Sequence, residues 1–405
     1  MISIRDKKDC CGCHACVSIC PKSCISMKAD SEGFLYPLVD IDVCIDCGLC
    51  EKVCPVINQE KVRKPIKVYA AKNVDEAVRL KSSSGGVFSV FAESVIARGG
   101  VVFGAKFNKD WSVVHAWTDT IEGLAAFRGS KYVQSRIGNT YKEAEAFLKQ
   151  GRIVLFSGTP CQIAGLKRYL RKDYANLQTV DVVCHGVPSP LVWQEYLKEM
   201  CAECTVGKNS VSVSLNELSA IADIAFRDKT NGWKKYGFKI GYVASKATEN
   251  TVSKSAIDYK IEPFNENVFM RGFLKNLYLR PSCYACAAKS GKSGSDLTIA
   301  DFWGVDRLYP ELDDDKGLTA LLVNNPQVEV EDKLELTQVQ YRDVLVANPV
   351  IERSVAIPRE REQFWCKFFE QGVSAISEVC AKMKPSFFVR LKLRIKRLIR
   401  IIVKL

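Results

Sequence analysis

No run of about twenty apolar residues occurs in this chain of 405, so no helix is expected to cross a membrane. The opening residues carry Arg5, Lys7 and Lys8 around no apolar core and are not expected to form a secretory signal. The dinucleotide fingerprint Gly-x-Gly-x-x-Gly is missing, and with it the usual mark of a Rossmann crevice. Acidic residues are absent from 384–405, where eight basic ones stand, so eight of the net charge of +12 belong to the tail. A charge confined in this way argues against a nucleic-acid partner. Cysteine, by contrast, is abundant: eighteen residues, which without a secretory signal point to reducing cytoplasm and to thiols that serve metals. With 47% hydrophobic and 26% charged residues the composition is that of an ordinary globular protein, long enough for a small module and one or two larger domains.

Cys10, Cys13, Cys16 and Cys20 follow the spacing Cys-x-x-Cys-x-x-Cys-x-x-x-Cys with Pro21 behind, and Cys44, Cys47, Cys50 and Cys54 repeat it with Pro55 behind. The doubled run is the signature of a ferredoxin-type module carrying two 4Fe-4S clusters. Three thiolates on one tight loop reach three irons of a cube, and the fourth points to the other cube. Cys10, Cys13, Cys16 and Cys54 are therefore assigned to the first cluster, and Cys44, Cys47, Cys50 and Cys20 to the second. Zinc prefers paired knuckles, and a disulfide framework expects a secreted chain. The neighbouring Cys11 and Cys24 read as small buried residues or loose thiols. The module is expected to span 1–62, with a turn and strand at 33–39 and a polar linker at Lys61, Arg63, Lys64 and Pro65.

Beyond the linker, residues 66–71 read as a buried strand, and Ser82, Ser83, Ser84, Gly85 and Gly86 lead into Val87, Phe88, Phe91 and Val95 at helical spacing. Small residues before a helix let backbone amides approach a phosphate, although a capped helix after a polar loop has the same look. Residues 101–107 and 113–118 alternate as a hairpin. A polar loop, Lys131, Tyr132, Val133, Gln134 and Ser135, precedes a helix capped by Asn139. The apolar strand 153–156 then empties into Ser157, Gly158, Thr159, Pro160 and Cys161, a second candidate phosphate cradle that delivers a cysteine. A similar strand at 180–183 ends in Cys184 and His185, and a helical stretch at 268–279 gives way to Cys283 and Cys286. On spacing alone Cys161, Cys184, Cys283 and Cys286 suit a third iron–sulfur cluster, a zinc ion or unrelated buried thiols. Cys201 and Cys204 read as a fortuitous pair. Residues 209–244 alternate like strands, 297–302 is a strand carrying Asp301 at its end, and 317–323 is another. Residues 359–383 read as one amphipathic helix in which Cys366 and Cys380 pack.

Taken together, the double cysteine run, Ser83-Ser84-Gly85-Gly86-Val87-Phe88, Lys131-Tyr132-Val133-Gln134-Ser135, Gly158-Thr159-Pro160-Cys161-Gln162, Cys184-His185-Gly186-Val187-Pro188, Cys283-Tyr284-Ala285-Cys286 and Ala300-Asp301-Phe302-Trp303-Gly304 resemble one family, that of the beta subunits of coenzyme F-420 hydrogenases and dehydrogenases, over residues 1–383. The resemblance implies an α+β chain: a ferredoxin-like two-cluster module at 1–62, then an α/β flavin- and cluster-binding domain at 63–383, in parts 63–150 and 151–383. It implies a non-covalent FAD and a third 4Fe-4S cluster on Cys161, Cys184, Cys283 and Cys286. Ser83, Ser84, Gly85 and Gly86 would face the flavin with Lys131, Tyr132, Gln134, Ser135, Gly158, Thr159 and Pro160, and His185 or Asp301 would supply a proton.

Clusters move one electron at a time, whereas a flavin stores two, so the pairing expected is an oxidoreductase fed by ferredoxin or another redox protein that reduces a small organic acceptor. The alternative is an electron-transfer subunit of a larger complex with no substrate of its own. In the tail, Phe388, Leu391, Ile395, Leu398, Ile402 and Leu405 recur every three or four positions beside Arg390, Arg394, Arg397 and Lys404. A basic amphipathic helix at 384–405 would suit the anionic inner face of a membrane, an acidic groove on a partner, or its own domain.

Overall fold

The computed structural model describes residues 1–205, 215–243 and 257–383. Its first 54 residues fold around the two cysteine runs, through α1 (Ala15–Ile19), β1 (Ile25–Ala29), β2 (Leu35–Val39) and α2 (Leu49–Lys52). β1 and β2 pair antiparallel from Ile25 opposite Val39 to Ala29 opposite Leu35. In each run the residues flanking the second cysteine are left-handed, Gly12 and His14 in the first, Asp46 and Gly48 in the second. That alternation curls the backbone around a point, so three successive thiols face inward before a short helix begins.

The chain continues with β3 (Lys67–Asn73), α3 (Glu76–Lys81), α4 (Val87–Ala97), β4 (Val101–Phe107), β5 (Val113–Thr118), α5 (Thr140–Lys149), β6 (Val154–Gly158), α6 (Pro160–Leu170), β7 (Leu177–Val182) and α7 (Pro190–Thr205). After these come β8 (Ile221–Asp228), β9 (Gly237–Val243), β10 (Ile257–Pro263), α8 (Val268–Leu274), β11 (Leu297–Asp301), β12 (Thr319–Val323) and β13 (Leu334–Gln338). Eight strands make one sheet in the order β13-β3-β12-β11-β7-β6-β4-β5, with β4, β6, β7 and β11 parallel. The central strands β6 and β12 are apolar runs because both sheet faces are covered. On one face α4 packs Val87, Phe91 and Val95 against Val102, Leu155 and Val180. On the other, α5 and α6 pack Tyr141, Ala144, Ile163 and Leu166 against Phe103 and Phe156, and Cys13, Ala15 and Val53 of the module join that same core. A third body of structure, built from α7, α8, the antiparallel sheet β8–β10 and two C-terminal helices, closes around Trp193, Phe226, Phe269 and Phe364.

Several expectations change. The helical stretch at 268–279 stops at Leu274, because Asn276 turns left-handed at φ 63° and its carbonyl accepts from the Tyr284 hydroxyl at 2.5 Å. The long helix expected at 359–383 is two, Arg361–Gln371 and Ser374–Lys382, broken where Gly372 takes φ 64°. Cys380 packs as expected, but Cys366 points outward and is exposed. Of the strand-like stretch 209–244, the described strands are β8 and β9, with a 3-10 turn at Leu215–Ala220 before them. Cys201 is buried; the Cys204 side chain and the basic tail 384–405 lie outside the described residues.

The β5–β6 junction carries a pH-sensitive contact. His115 is buried, its Nε2 lies 3.0 Å from the Ser157 carbonyl and its Nδ1 2.9 Å from the Ser135 hydroxyl. The carbonyl requires Nε2–H as donor, so Nδ1 accepts from Ser135 and the ring is held neutral. Burial pulls its pKa from 6.5 to about 4. The unfolded chain therefore binds this proton first, and the contribution, present above pH 6.5, is lost as pH falls toward 4. Hydrogen exchange of the β5 and β6 amides, corrected for intrinsic rates, is expected to show local stability dropping by about 3 kcal/mol over that window. H115Q is expected to flatten the slope; an unchanged slope contradicts the assignment.

Candidate iron–sulfur sites

Parallel strands deliver loops to one end of a sheet, and ligand sites gather there. β6 runs into Thr159, Pro160 and Cys161, and β7 into Cys184 and His185. Thr159 caps α6, with Gln162 Oε1 accepting from the Thr159 N–H at 2.9 Å and Pro160 in the first turn, so Cys161 is held at a helix N-terminus. Helix N-termini favour thiolate. Cys283 lies in the 3-10 turn Pro281–Ala285 and Cys286 just after it. These elements surround a small, partly open cavity lined by Cys161, Cys184, Cys283 and Cys286, together with His185, Cys11 and Arg280. Sequence positions 161, 184, 283 and 286 thus come together at one place.

Burial pushes the Cys184 thiol up to about 12 and Cys283 well above its ordinary value. The neighbouring Cys11 thiol, then burial, does the same to Cys161. Bare thiols in such a place stay protonated, and a bound metal is what makes them thiolates. The Val187 N–H donates to Cys283 Sγ at 3.4 Å, ready to support charge on that sulfur.

In the module, a second small cavity is lined by Cys20, Cys44, Cys47 and Cys50, the set assigned to the second cluster, with Cys24 beside them. The Ile2 N–H donates to Cys50 Sγ at 3.3 Å. Cys47 is exposed; so are Met1 and Ile45, which line the same cavity, and Leu38, Ile41 and Val43, which precede it in sequence. Burial pushes the Cys16 thiol up to about 12, and the nearby Cys10 and Cys54 add to the effect. Burial raises Cys54 first as well, with Cys10 again close by. Cys13 lies within electrostatic reach of both Cys16 and Cys54. Among the described residues no three His, Cys, Asp or Glu side chains are spaced to grip a single metal ion. The thiols instead stand around cavities.

The residues chosen for a flavin are placed differently. Ser84 Oγ donates to the Leu318 carbonyl at 2.7 Å, the Gly85 N–H to Thr319 Oγ1 at 2.9 Å, and Ser83 Oγ accepts from the Ser130 N–H at 2.7 Å. A Cβ on Gly85 would meet the Ala71 carbonyl oxygen at 2.4 Å, so this glycine lets the loop lie flat on β3 and β12. Gly86, left-handed, caps α4. Lys131 Nζ donates to the Arg128 and Gly129 carbonyls, and burial pulls its pKa down to about 7. Ser135 is bonded to His115 and Gln162, and the Tyr132 hydroxyl accepts from Arg227. Gly158 packs on Gln162, and Pro160 lines the cysteine cavity. These polar atoms hold the chain's own scaffold.

The two acid–base candidates part company. His185 lines the cysteine cavity, with Nε2 2.6 Å from Asn276 Oδ1 and its pKa lowered by burial. Asp301 instead accepts from Arg227 at 2.7 Å and from the Trp233 indole at 3.2 Å, while Tyr236 and Trp303 stack on the guanidinium. Two residues that spacing did not single out share the cavity, Cys11 and Arg280. The available signal was position: Cys11 adjoins a ligand cysteine, and Arg280 precedes the Pro281-Ser282-Cys283 turn.

Comparison with known proteins fits this division. Residues 9–58 match the family described as 4Fe-4S dicluster domain, and residues 151–331 the family described as the C terminus of the beta subunit of coenzyme F420 hydrogenase/dehydrogenase. The F subunit of F(420)H(2) dehydrogenase from Methanosarcina mazei is 27% identical over 176 residues, 40% of this chain and 49% of that protein. Coenzyme F420-dependent sulfite reductase of Methanocaldococcus jannaschii is 28% identical over 206 residues, 48% of this chain and 30% of that protein. Ferredoxin 7Fe of Hydrogenibacillus schlegelii is 44% identical over 64 residues, 15% of this chain and 76% of that protein. The chain thus spans half or less of the first two relatives. Among solved structures, the F420-reducing [NiFe] hydrogenase complex from Methanosarcina barkeri has a chain with a TM-score of 0.42 at 14% identity, covering 78% of this chain and 91% of its own.

Proposed function

The chain joins a ferredoxin-type 4Fe-4S dicluster domain to the C-terminal domain of the coenzyme F420 hydrogenase/dehydrogenase beta subunits, and from that premise we propose that it is the electron-carrying subunit of a larger redox complex. The observation that carries this reading is Cys11, a residue of the module's first cysteine run that lines the same cavity as Cys161, Cys184, Cys283 and Cys286 of the domain. Through it the module's cysteines and the cavity of Cys161, Cys184, Cys283 and Cys286 form one continuous line.

The residues of that cavity fit a third 4Fe-4S cluster: four thiols from three loops around one space, with one sulfur at a helix N-terminus and another under a backbone N–H. When bound, such a cluster supplies one-electron storage. The chain's own part is to fix the thiols, exclude water and offer N–H donors to sulfur, which favour the more negative, reduced form. At the other end, the exposed apolar residues Leu38, Ile41, Val43 and Ile45 beside Cys47 form a docking face for a protein donor or acceptor, a ferredoxin or a partner subunit.

An FAD and a small organic acceptor beyond the third site are the reading taken from resemblance alone. Because the polar atoms of the residues chosen for FAD bond to the chain's own scaffold, no step of the mechanism runs through a flavin. Equimolar flavin in anaerobically purified protein, with turnover of an organic acceptor in a screen, would favour the self-contained reductase.

The docking face has a direct test. I45D and I41D variants, loaded anaerobically, are expected to accept electrons from a reduced ferredoxin at least about tenfold more slowly, since a buried carboxylate at an apolar contact is expensive. Dithionite, which needs no docking face, is expected to reduce them as fast as the unaltered chain. Equal rates with the protein donor would remove the docking face from the account.

A further inference from the structure

We propose that Arg280 is the buried counter-charge shared by two cysteine sites, the one at Cys10 and the one at Cys161, Cys184, Cys283 and Cys286, and that it raises the reduction potential of the iron–sulfur group held there. The inference deepens the electron-carrying reading and rests on it.

A guanidinium removed from water needs an anion. The other arginines with little exposure obey: Arg79 pairs with Asp314, Arg227 with Asp301 and Arg361 with Glu32. Arg280 is 0% exposed, yet no carboxylate among the described residues pairs with it. Its Nε donates to the Cys10 carbonyl at 2.7 Å, Nη1 to Gln134 Oε1 at 3.0 Å, and Nη2 to the Leu35 carbonyl at 2.9 Å and to Cys10 Sγ at 3.5 Å. The Tyr36 and Phe34 rings flank it at 4.4 and 5.5 Å. Carbonyls and rings spread the positive charge without cancelling it.

The groups in reach that can become anions are thiols. Cys10 Sγ is in contact, and the same guanidinium lines the cavity of the four later cysteines. A cluster held by four thiolates is net negative and gains a further negative charge with each electron, so a fixed cation in contact favours its reduced form. Arginine suits the place because its planar fork keeps the charge at any working pH and reaches several acceptors at once. Gly12 makes room for it: a Cβ there would stand 2.8 Å from Arg280 Nη1. Arg280 does not line the cavity of Cys20, Cys44, Cys47 and Cys50, which serves as an internal reference.

The test is an EPR-monitored redox titration of the anaerobically loaded full chain. In R280Q the one-electron reduction equilibrium at the Cys10 site is expected to fall at least about tenfold, about 59 mV toward negative, while the reference site stays in place. R280K, which keeps the charge and loses the fork, is expected to recover most of the shift, which a merely structural role does not require. Q134E adds a carboxylate beside Nη1 in a side chain of the same shape, and it is expected to move the Cys10 site in the same direction. A Cys10 site at the unaltered potential in R280Q, or in Q134E where R280Q fails to load, overturns the proposal. An iron content of about eight per chain would sink the third cluster instead, and the shift at Cys10 would still decide the role of Arg280.

Discussion

Replacing Cys161 by serine is expected to reduce iron in anaerobically reconstituted protein from about twelve to about eight per chain, with sulfide falling in step. The loss is large because Cys161 opens α6 at the point where β6 ends, facing the loops of Cys184 and of Cys283 and Cys286 across one cavity. Serine offers a harder, more basic oxygen and leaves three ligands. One neighbour threatens the reading: Cys11 lines the same cavity as Cys161 and is placed to take its part. The double variant C11S/C161S closes that route and is expected to show the full loss even where C161S alone does not. Twelve irons in the double variant would remove Cys161 from the site.

The second large effect concerns docking of the module. Gly165 lies in α6 where a Cβ would meet Tyr141 Oη at 2.8 Å, Cys13 Cβ at 2.9 Å and Cys13 Sγ at 3.1 Å. None of these can yield cheaply. Tyr141 is fully buried and donates to the Gln162 carbonyl at 2.7 Å, and Cys13 belongs to the loop that curls around the first cluster site. G165V is therefore expected to cost about 3 kcal/mol through overpacking and to push the module off α6. Two measurements separate this from general damage. Thermal unfolding should move to lower temperature, and after rapid mixing with dithionite the module's clusters should reduce normally while the third cluster lags. A third cluster reduced as fast as in the unaltered chain would show that the close approach of Cys13 to α6 plays no part in electron flow.

Much of this arrangement was legible in the chain itself. The doubled cysteine run is local chemistry: spacing alone places three thiols on one loop, and the cavity of Cys20, Cys44, Cys47 and Cys50 has the composition that spacing implies. The hairpin of β4 and β5 and the helix opened by Pro160 are equally local, set by alternation and by capping residues. What spacing could not settle was convergence. Cys161, Cys184, Cys283 and Cys286 lie up to 125 positions apart; the parallel pair β6 and β7 brings the first two to one end of the sheet, and the bridge of Leu279 to Pro188 with the Arg280 N–H on the Val187 carbonyl brings the other two to them. The glycine-rich loop shows the opposite failing of local reading. Ser83 to Gly86 has the composition of a phosphate cradle, but its partners, Leu318, Thr319 and Ser130, come from distant stretches that no local window contains. Asp301 and Arg280 were hidden for the same reason, since a partner 74 positions away decides what the first can do, and the lack of a carboxylate partner among the described residues decides it for the second.

The central claim is that the module's clusters and a third cluster at Cys161 form one conducting line. Low-temperature EPR of the fully reduced chain tests it most directly, because clusters that close broaden and split one another's signals. The account predicts interaction splitting that simplifies to a two-cluster spectrum in C11S/C161S; a spectrum that is the same in both proteins would contradict it.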